Sequence, residues 1–391
     1  MIDSIYIAMT GLLGYQKGLR VISNDTANLN TPGFKGTKLF FADLFYSADP
    51  TARDSAQYGN GLSTLGTAFD FHEGDLQNTG NSLDLAVDGQ GFFVLRDSSD
   101  RIRYTRGGQF KFDADGFLVT ASTGEKVMAL DDSKALRTIS ISDVGTDPAL
   151  PTGTIAFRGN IDSAGTTHTL GNVTVVDRTG TSHSMSVRFD AVTGSAGTWT
   201  VTLLDGMTSV GAGQIVFMNG LMDAAHSKVS MTYAPAGQEH MPLELDFSNA
   251  VTAFASGGNQ STIAVASQDG RAAGYLAGTT FDETGTLVLS YSNGRTVKNA
   301  RLALGRFNSP DVVSAAGNNE FEAKDPRGWQ IGVAEADGFG KVHSGTLEMS
   351  NVDLSQEFSA LVIMQRGYQA SSQVVSTAND MINELFGVRG R

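Results

Sequence analysis

The chain has 391 residues, room for two or three domains, and no cysteine, which excludes disulfides, thiolate metal sites and cysteine nucleophiles. A formal charge of −13 disfavours binding to nucleic acid, whose phosphates it would repel. With 46 glycines and only 8 prolines, the composition points to many tight turns between short strands rather than to a proline-rich disordered chain.

The first element is a helix from Ile2 to about Thr26. Ile2, Ile5, Met9, Leu12, Leu19 and Ile22 recur at alternating steps of three and four, with Gln16 in one slot. Asp3 and the lack of a basic start argue against a cleavable signal peptide, and no apolar run is long enough to span a bilayer. The middle of the chain reads as β. Short alternating runs include Gly91–Leu95, Gln109–Phe112, Phe117–Thr120, Asn172–Val176, Ser184–Phe189, Thr198–Leu203, Lys228–Tyr233, Leu243–Phe247 and Thr286–Tyr291. Asp115-Gly116, Asp205-Gly206, Asn219-Gly220 and Asn293-Gly294 supply turns between them. Loop-like stretches near Asp143–Thr152 and Asp269–Gly278 bracket what reads as one β-domain inserted into another, with hinges expected near Asp143–Gly153 and Gly278–Gly285.

The helical rhythm returns at the far end. Leu354, Phe358, Leu361, Tyr368, Val375, Ile382 and Phe386 lie on one stripe, with Gln365, Ser372 and Asn379 in its polar slots. Val374, Ala378, Met381 and Leu385 widen it. Asp353 with Gln356 reads as a capping box, and Gly387 as the stop. Residues 1–30 carry two acids and two bases, residues 350–391 four acids and three bases, so −12 of the charge lies between the two ends. Two amphipathic helices ordinarily pack on the body of their own chain. Their placement at both extremes, nearly uncharged, points instead to self-association, with the ends ordering on assembly.

Motifs for chemistry fail on inspection. Gly89-Gln90-Gly91 lacks the third glycine of a dinucleotide loop, and Lys35-Gly36-Thr37 has the wrong order for a phosphate loop. Asp113-Ala114-Asp115-Gly116 lacks the later ligands of a calcium loop and reads as a hairpin turn. Ser290 stands where a nucleophile elbow needs glycine. The six histidines show no helical metal spacing, and Trp199 and Trp329 read as core. No catalytic residue, cofactor site or metal site is expected, and the chain reads as no enzyme.

Three segments carry a resemblance. Ala27-Asn28-Leu29-Asn30-Thr31-Pro32-Gly33-Phe34-Lys35 follows the first helix. Thr79–Val87, Gly89-Gln90-Gly91-Phe92-Phe93 and Tyr104-Thr105-Arg106-Gly107-Gly108-Gln109-Phe110 lie in the middle. Gly345–Leu354, Glu357-Phe358 and Gln365–Ala370 open the last helix. Together they resemble the bacterial flagellar axial proteins, the rod and hook family. The insert favours the hook members: Gly159–Asp162, Val176–His183, Trp199, Asp269–Leu276 and Tyr291–Gly294 look like theirs. Asp25-Thr26 departs from the pattern, as does the proline-poor Asp325–Phe339. The alternative is a distal rod protein with an enlarged outer domain.

The resemblance implies a mainly β protein with α-helical termini. It would hold two β-barrel or sandwich-like domains, one inserted in the other, and a paired N- and C-terminal helical coil. Residues 1–29 and 350–391 would form the coil and 30–71 an extended connection. Residues 72–145 and 285–349 would form the shared β-domain, and 146–284 the inserted outer one. Subunits would polymerise into a hollow curved joint that passes torque from rod to filament. The partners implied are other copies of the chain, rod proteins, cap and hook–filament junction proteins, and the flagellar type III export apparatus, with export needing no cleaved signal. The self-assembly interface expected comprises Ile5, Met9, Leu12, Leu19, Ile22, Asn28, Gly33, Phe34, Leu354, Phe358, Leu361, Gln365, Tyr368, Val375 and Ile382.

Overall fold

The structure, a computed structural model, describes residues 2–48, 57–235, 237–257 and 260–389. The chain is mainly β with one long helix at each end, α1 (Ile2–Ala27) and α2 (Leu354–Arg389). It divides into two compact units. The first comprises Met1–Ser142, Thr279–Leu289 and Val297–Arg391, and the second Asp143–Gly278 with Ser290–Thr296.

The first unit holds both helices and an antiparallel sheet. Its strand order is Val313–Gly317, Glu320–Ala323, Ile102–Thr105, Phe92–Arg96, Lys126–Leu130, Leu118–Thr120, Phe110–Phe112, with Leu304–Phe307 added beside Phe92–Arg96. Its core is aromatic. Tyr104 stacks on Trp329 at 3.6 Å between ring centroids, and Phe71, Phe92, Phe307 and Phe321 pack edge to face or tilted around them. A Cβ at residue 305 would stand 2.5 Å from the Tyr104 ring, so Gly305 makes room for the stack. The segment after α1 forms a ribbon. Thr37–Asp43 pairs antiparallel with Leu62–Phe69, and Phe69 and Phe71 at its end enter the aromatic core.

The second unit is a β-sandwich core. Thr167–Val176, Ser182–Ala191, Thr198–Asp205 and Thr208–Met218 form a meander, continued through Leu221–Met222 and Val251–Thr252 to Thr154–Asn160, Met241–Asp246 and Lys228–Tyr233. Alternate residues point inward and bury Phe157, Phe189, Trp199, Leu203 and Phe247, with Phe157 stacked on Phe247 at 4.6 Å.

One turn recurs in five hairpins. In residues 97–101, 113–117, 131–135, 177–181 and 282–286, an aspartate accepts from the backbone N–H groups two and four residues on. The fourth residue of each (Asp100, Gly116, Lys134, Gly180, Gly285) has positive φ. The turn expected at Asp113–Gly116 is one of these. The expected strands are present with ends shifted by a few residues. One boundary differs: α2 does not stop at Gly387 but continues to Arg389, because a glycine costs an exposed helix only about 1 kcal/mol and nothing else ends it there.

Candidate assembly surface

The two terminal helices lie antiparallel. Gly11 faces Ser371, Tyr15 faces Gly367 and Gly18 faces Met364, each pair of numbers summing to the same value as one helix climbs and the other descends. The glycines allow the approach: a Cβ on Gly11 would stand 2.7 Å from Ser371 Oγ, and one on Gly18 2.8 Å from Met364 Sδ. Ala8, Ile22 and Ala378 are buried at the same helical spacing. Asp353 caps α2, accepting from Ser355 N at 2.8 Å and Gln356 N at 3.3 Å. At that end Glu357 meets Asp25. Burial, and next the Asp25 charge, push the Glu357 carboxyl up, and burial pushes Asp25 up as well.

The register sets Ile2 opposite Asp380, so residues 381–389 extend past α1 by about 13 Å. Large apolar side chains face outward on both helices. Tyr6, Met9 and Leu13 are exposed on α1, and Phe358, Val362, Ile363, Tyr368 and Val374 on α2. Met381, Leu385 and Phe386 are exposed on the overhang, Phe386 to 69%. Exposed apolar side chains in this number are uncommon on a protein surface and make the helices a candidate interaction surface.

The expected interface residues fall into three groups. Ile22 is buried, and Ile5, Leu12, Leu19, Leu361, Val375 and Ile382 are half-buried. Met9, Leu354, Phe358, Gln365 and Tyr368 are exposed. Asn28, Gly33 and Phe34 are on neither helix. Asn28 closes α1, its side-chain amide donating to Asn24 O at 2.9 Å, and Phe34 is buried. Gly33 has φ +71° and packs so tightly on the Arg106–Gly107 backbone that a Cβ would clash.

Sequence reading missed two things. Tyr6, Leu13, Val362 and Ile363 lie outside the single stripe it traced, although the unbroken apolar run Leu361-Val362-Ile363-Met364 signals a helix covered on more than one side. It also gave no role to Lys35, Arg106 and Glu348. Lys35 Nζ lies 2.6 Å from Glu348 Oε1 and Arg106 Nη1 3.0 Å from Glu348 Oε2, all three buried in the first unit.

Residues 86–166 match the family model described as the flagellar hook protein FlgE/F/G D1 domain, and residues 343–386 that of the flagellar basal body rod FlgEFG protein C-terminal. The flagellar hook protein FlgE of Escherichia coli is 30% identical over 413 aligned positions, covering 98% of this chain and 99% of the relative. The chain belongs to the flagellar hook protein family. A second hook-family relative, from Treponema pallidum, is 28% identical with both chains covered in full, and one from Salmonella typhimurium is 29% identical over 98% of this chain and 99% of its own. The crystal structure of Helicobacter pylori flagellar hook protein FlgE2 shares the fold, with a TM-score of 0.52 at 13% identity. It matches 70% of this chain and all of that one.

In this chain the helix pair, the ribbon and the aromatic-cored body all belong to the first unit. The hook family is a structural one, and among the described residues no cluster of three or more His, Asp or Glu could hold a metal ion. No described helix is long and apolar enough to cross a membrane.

Proposed function

We propose that this chain is the structural subunit of the flagellar hook, polymerising through the outward faces of its terminal helices into the joint that passes torque from rod to filament. The observation that carries this reading is the set of large apolar side chains left exposed on both terminal helices, Tyr6 and Leu13 on α1 and Ile363 and Phe386 on α2 among them, outside the seam where the helices pack. Burying those side chains in neighbouring copies yields about 25 cal/mol per Å² of apolar surface, summed over many contacts. In this reading the overhang of 381–389 docks on a different part of the next copy, which makes the contact heterologous. Such contacts build open helical polymers.

Rod proteins at the base, cap and junction proteins at the tip, and export through the flagellar type III apparatus without a cleaved signal follow from the hook reading. The three relatives named above match essentially the whole chain and are hook proteins, which favours the hook over a distal rod. The test is electron microscopy of cells lacking the chain. Rods without hooks are expected; hooks of normal length would overturn the reading.

A further inference from the structure

Lys35, Arg106 and Glu348 come one each from the three sequence segments that carry the family resemblance, 313 residues apart at the extremes. The Lys35 and Glu348 side chains are wholly buried, and Arg106 nearly so. Glu348 Oε1 also accepts from Gly74 N at 3.0 Å, and its backbone oxygen from Gly33 N at 2.8 Å. Lys35 Nζ donates to His72 O at 2.5 Å. The Arg106 fork reaches Val87 O at 2.8 Å and Gly89 O at 2.6 Å. Beside them, Asn351 accepts from Gly36 N at 2.9 Å and donates to Asp70 O and His72 O. The segment leaving α1, the strand before α2, the end of the ribbon and two segments of the β body therefore meet in one cluster around the Glu348 carboxylate.

Burial lowers the Lys35 ammonium from its ordinary value while Glu348 opposes that pull, so the Lys35 charge depends on Glu348 being in place. A buried ionic cluster of this kind is seldom better for stability than apolar side chains of equal volume. What it has and they lack is direction. An apolar patch can slide at little cost because burial is non-directional, whereas each bond here has one donor, one acceptor and one geometry.

We propose that Glu348 is a positioning residue for assembly: held by Lys35 and Arg106, it fixes the angle at which both terminal helices leave the β body. Its contribution is orientation rather than stability. The proposal rests on the polymer reading, since a fixed angle matters when every copy must present the same faces to its neighbours.

The test uses two full-length variants beside the wild type. One is Glu348→Gln; the other combines Lys35→Met, Arg106→Met and Glu348→Leu. Segment-resolved hydrogen exchange on the monomers reads local order, thermal unfolding reads stability, and electron microscopy reads polymer yield. In Glu348→Gln, exchange over 2–27 and 354–389 is expected to rise about tenfold while the sheet over 92–130 keeps its protection. The triple variant is expected to keep a near wild-type unfolding midpoint yet to lose polymer yield by about tenfold or more. A triple variant that polymerises like wild type overturns the proposal, as does Glu348→Gln loosening helices and sheet together. If the triple variant fails to fold, Glu348→Gln decides alone. A wild-type chain that never polymerises would refute the hook reading instead, and the exchange result would still judge the joint.

Discussion

The ring of Tyr15 lies directly over Gly367, filling the space a side chain there would need. This contact, flanked by Gly18 against Met364 and Gly11 against Ser371, sets how closely the two ends of the chain approach. Gly367→Val forces the helices apart. Overpacking of this kind costs about 1–3 kcal/mol. Circular dichroism should show helix signal lost at a lower temperature than strand signal, and the second unit should unfold as in wild type.

The outward apolar side chains give the opposite pattern. Ile363 and Phe386 are exposed to 64% and 69% in the single chain. Ile363→Asp and Phe386→Asp should each leave monomer stability within about 0.5 kcal/mol, the usual range for surface substitutions. Each should nonetheless abolish polymer, because a carboxylate would be buried between copies without a partner. Light scattering that rises as in wild type would remove them from the interface.

The recurrent aspartate turns predict acid behaviour. Hydrogen bonds from Ser133, the Ala135 N–H and Arg137 hold the Asp131 carboxyl at about 2. Burial of Asp282 works against ionisation, but hydrogen bonds from Thr284, Lys298 and the Thr286 N–H outweigh it and hold that carboxyl at about 2. Both lie below the ordinary 3.8, so the folded state binds fewer protons than the unfolded one. Their stabilisation is complete above pH 3.8 and disappears as pH falls through 2. Asp282→Ala should lower the unfolding midpoint at pH 7 and make little difference at pH 2. An equal loss at both values would mean that the carboxylate charge is irrelevant to the turn.

Glu125 predicts the reverse slope. Burial, then the neighbouring Glu320, push its carboxyl up to about 7 from an ordinary 4.5. Asp97 adds to the rise and Arg103 opposes it, Arg103 being itself paired with Glu322. The folded state here holds a proton the unfolded state has released, so stability falls as pH rises from 4.5 through about 7. Glu125→Gln, which cannot ionise, should match wild type at pH 5 and melt higher at pH 8. A gain of roughly 2–4 °C would correspond to about 1 kcal/mol in a domain of this size, less if solvent screens the pair. A variant no more stable at pH 8 than wild type would show that the pair is not strained.

Much of this architecture is local and can be read without a structure. The helix ends at Ile2 and near Ala27, and the cap at Asp353, follow from apolar spacing and side-chain chemistry within a few residues. The hairpins at Asp113 and Asn293 follow from residues that tolerate positive φ or bind their own backbone. These elements, the strand-rich middle and the family are legible in residue order, because each depends on neighbours along the chain or on motifs quoted whole.

Which helix faces pair becomes visible only in three dimensions. A stripe at spacing 3.5 marks one apolar side, but these helices are apolar on more than one. Gly11, Gly18 and Gly367 select the seam only once the two ends lie side by side. The tertiary structure brings Lys35 to Glu348 across 313 residues, and Glu320 to within hydrogen-bonding reach of Glu125. Charge pairing in a buried site is a matter of a few ångströms in space, and nothing in residue order constrains it until the chain has folded.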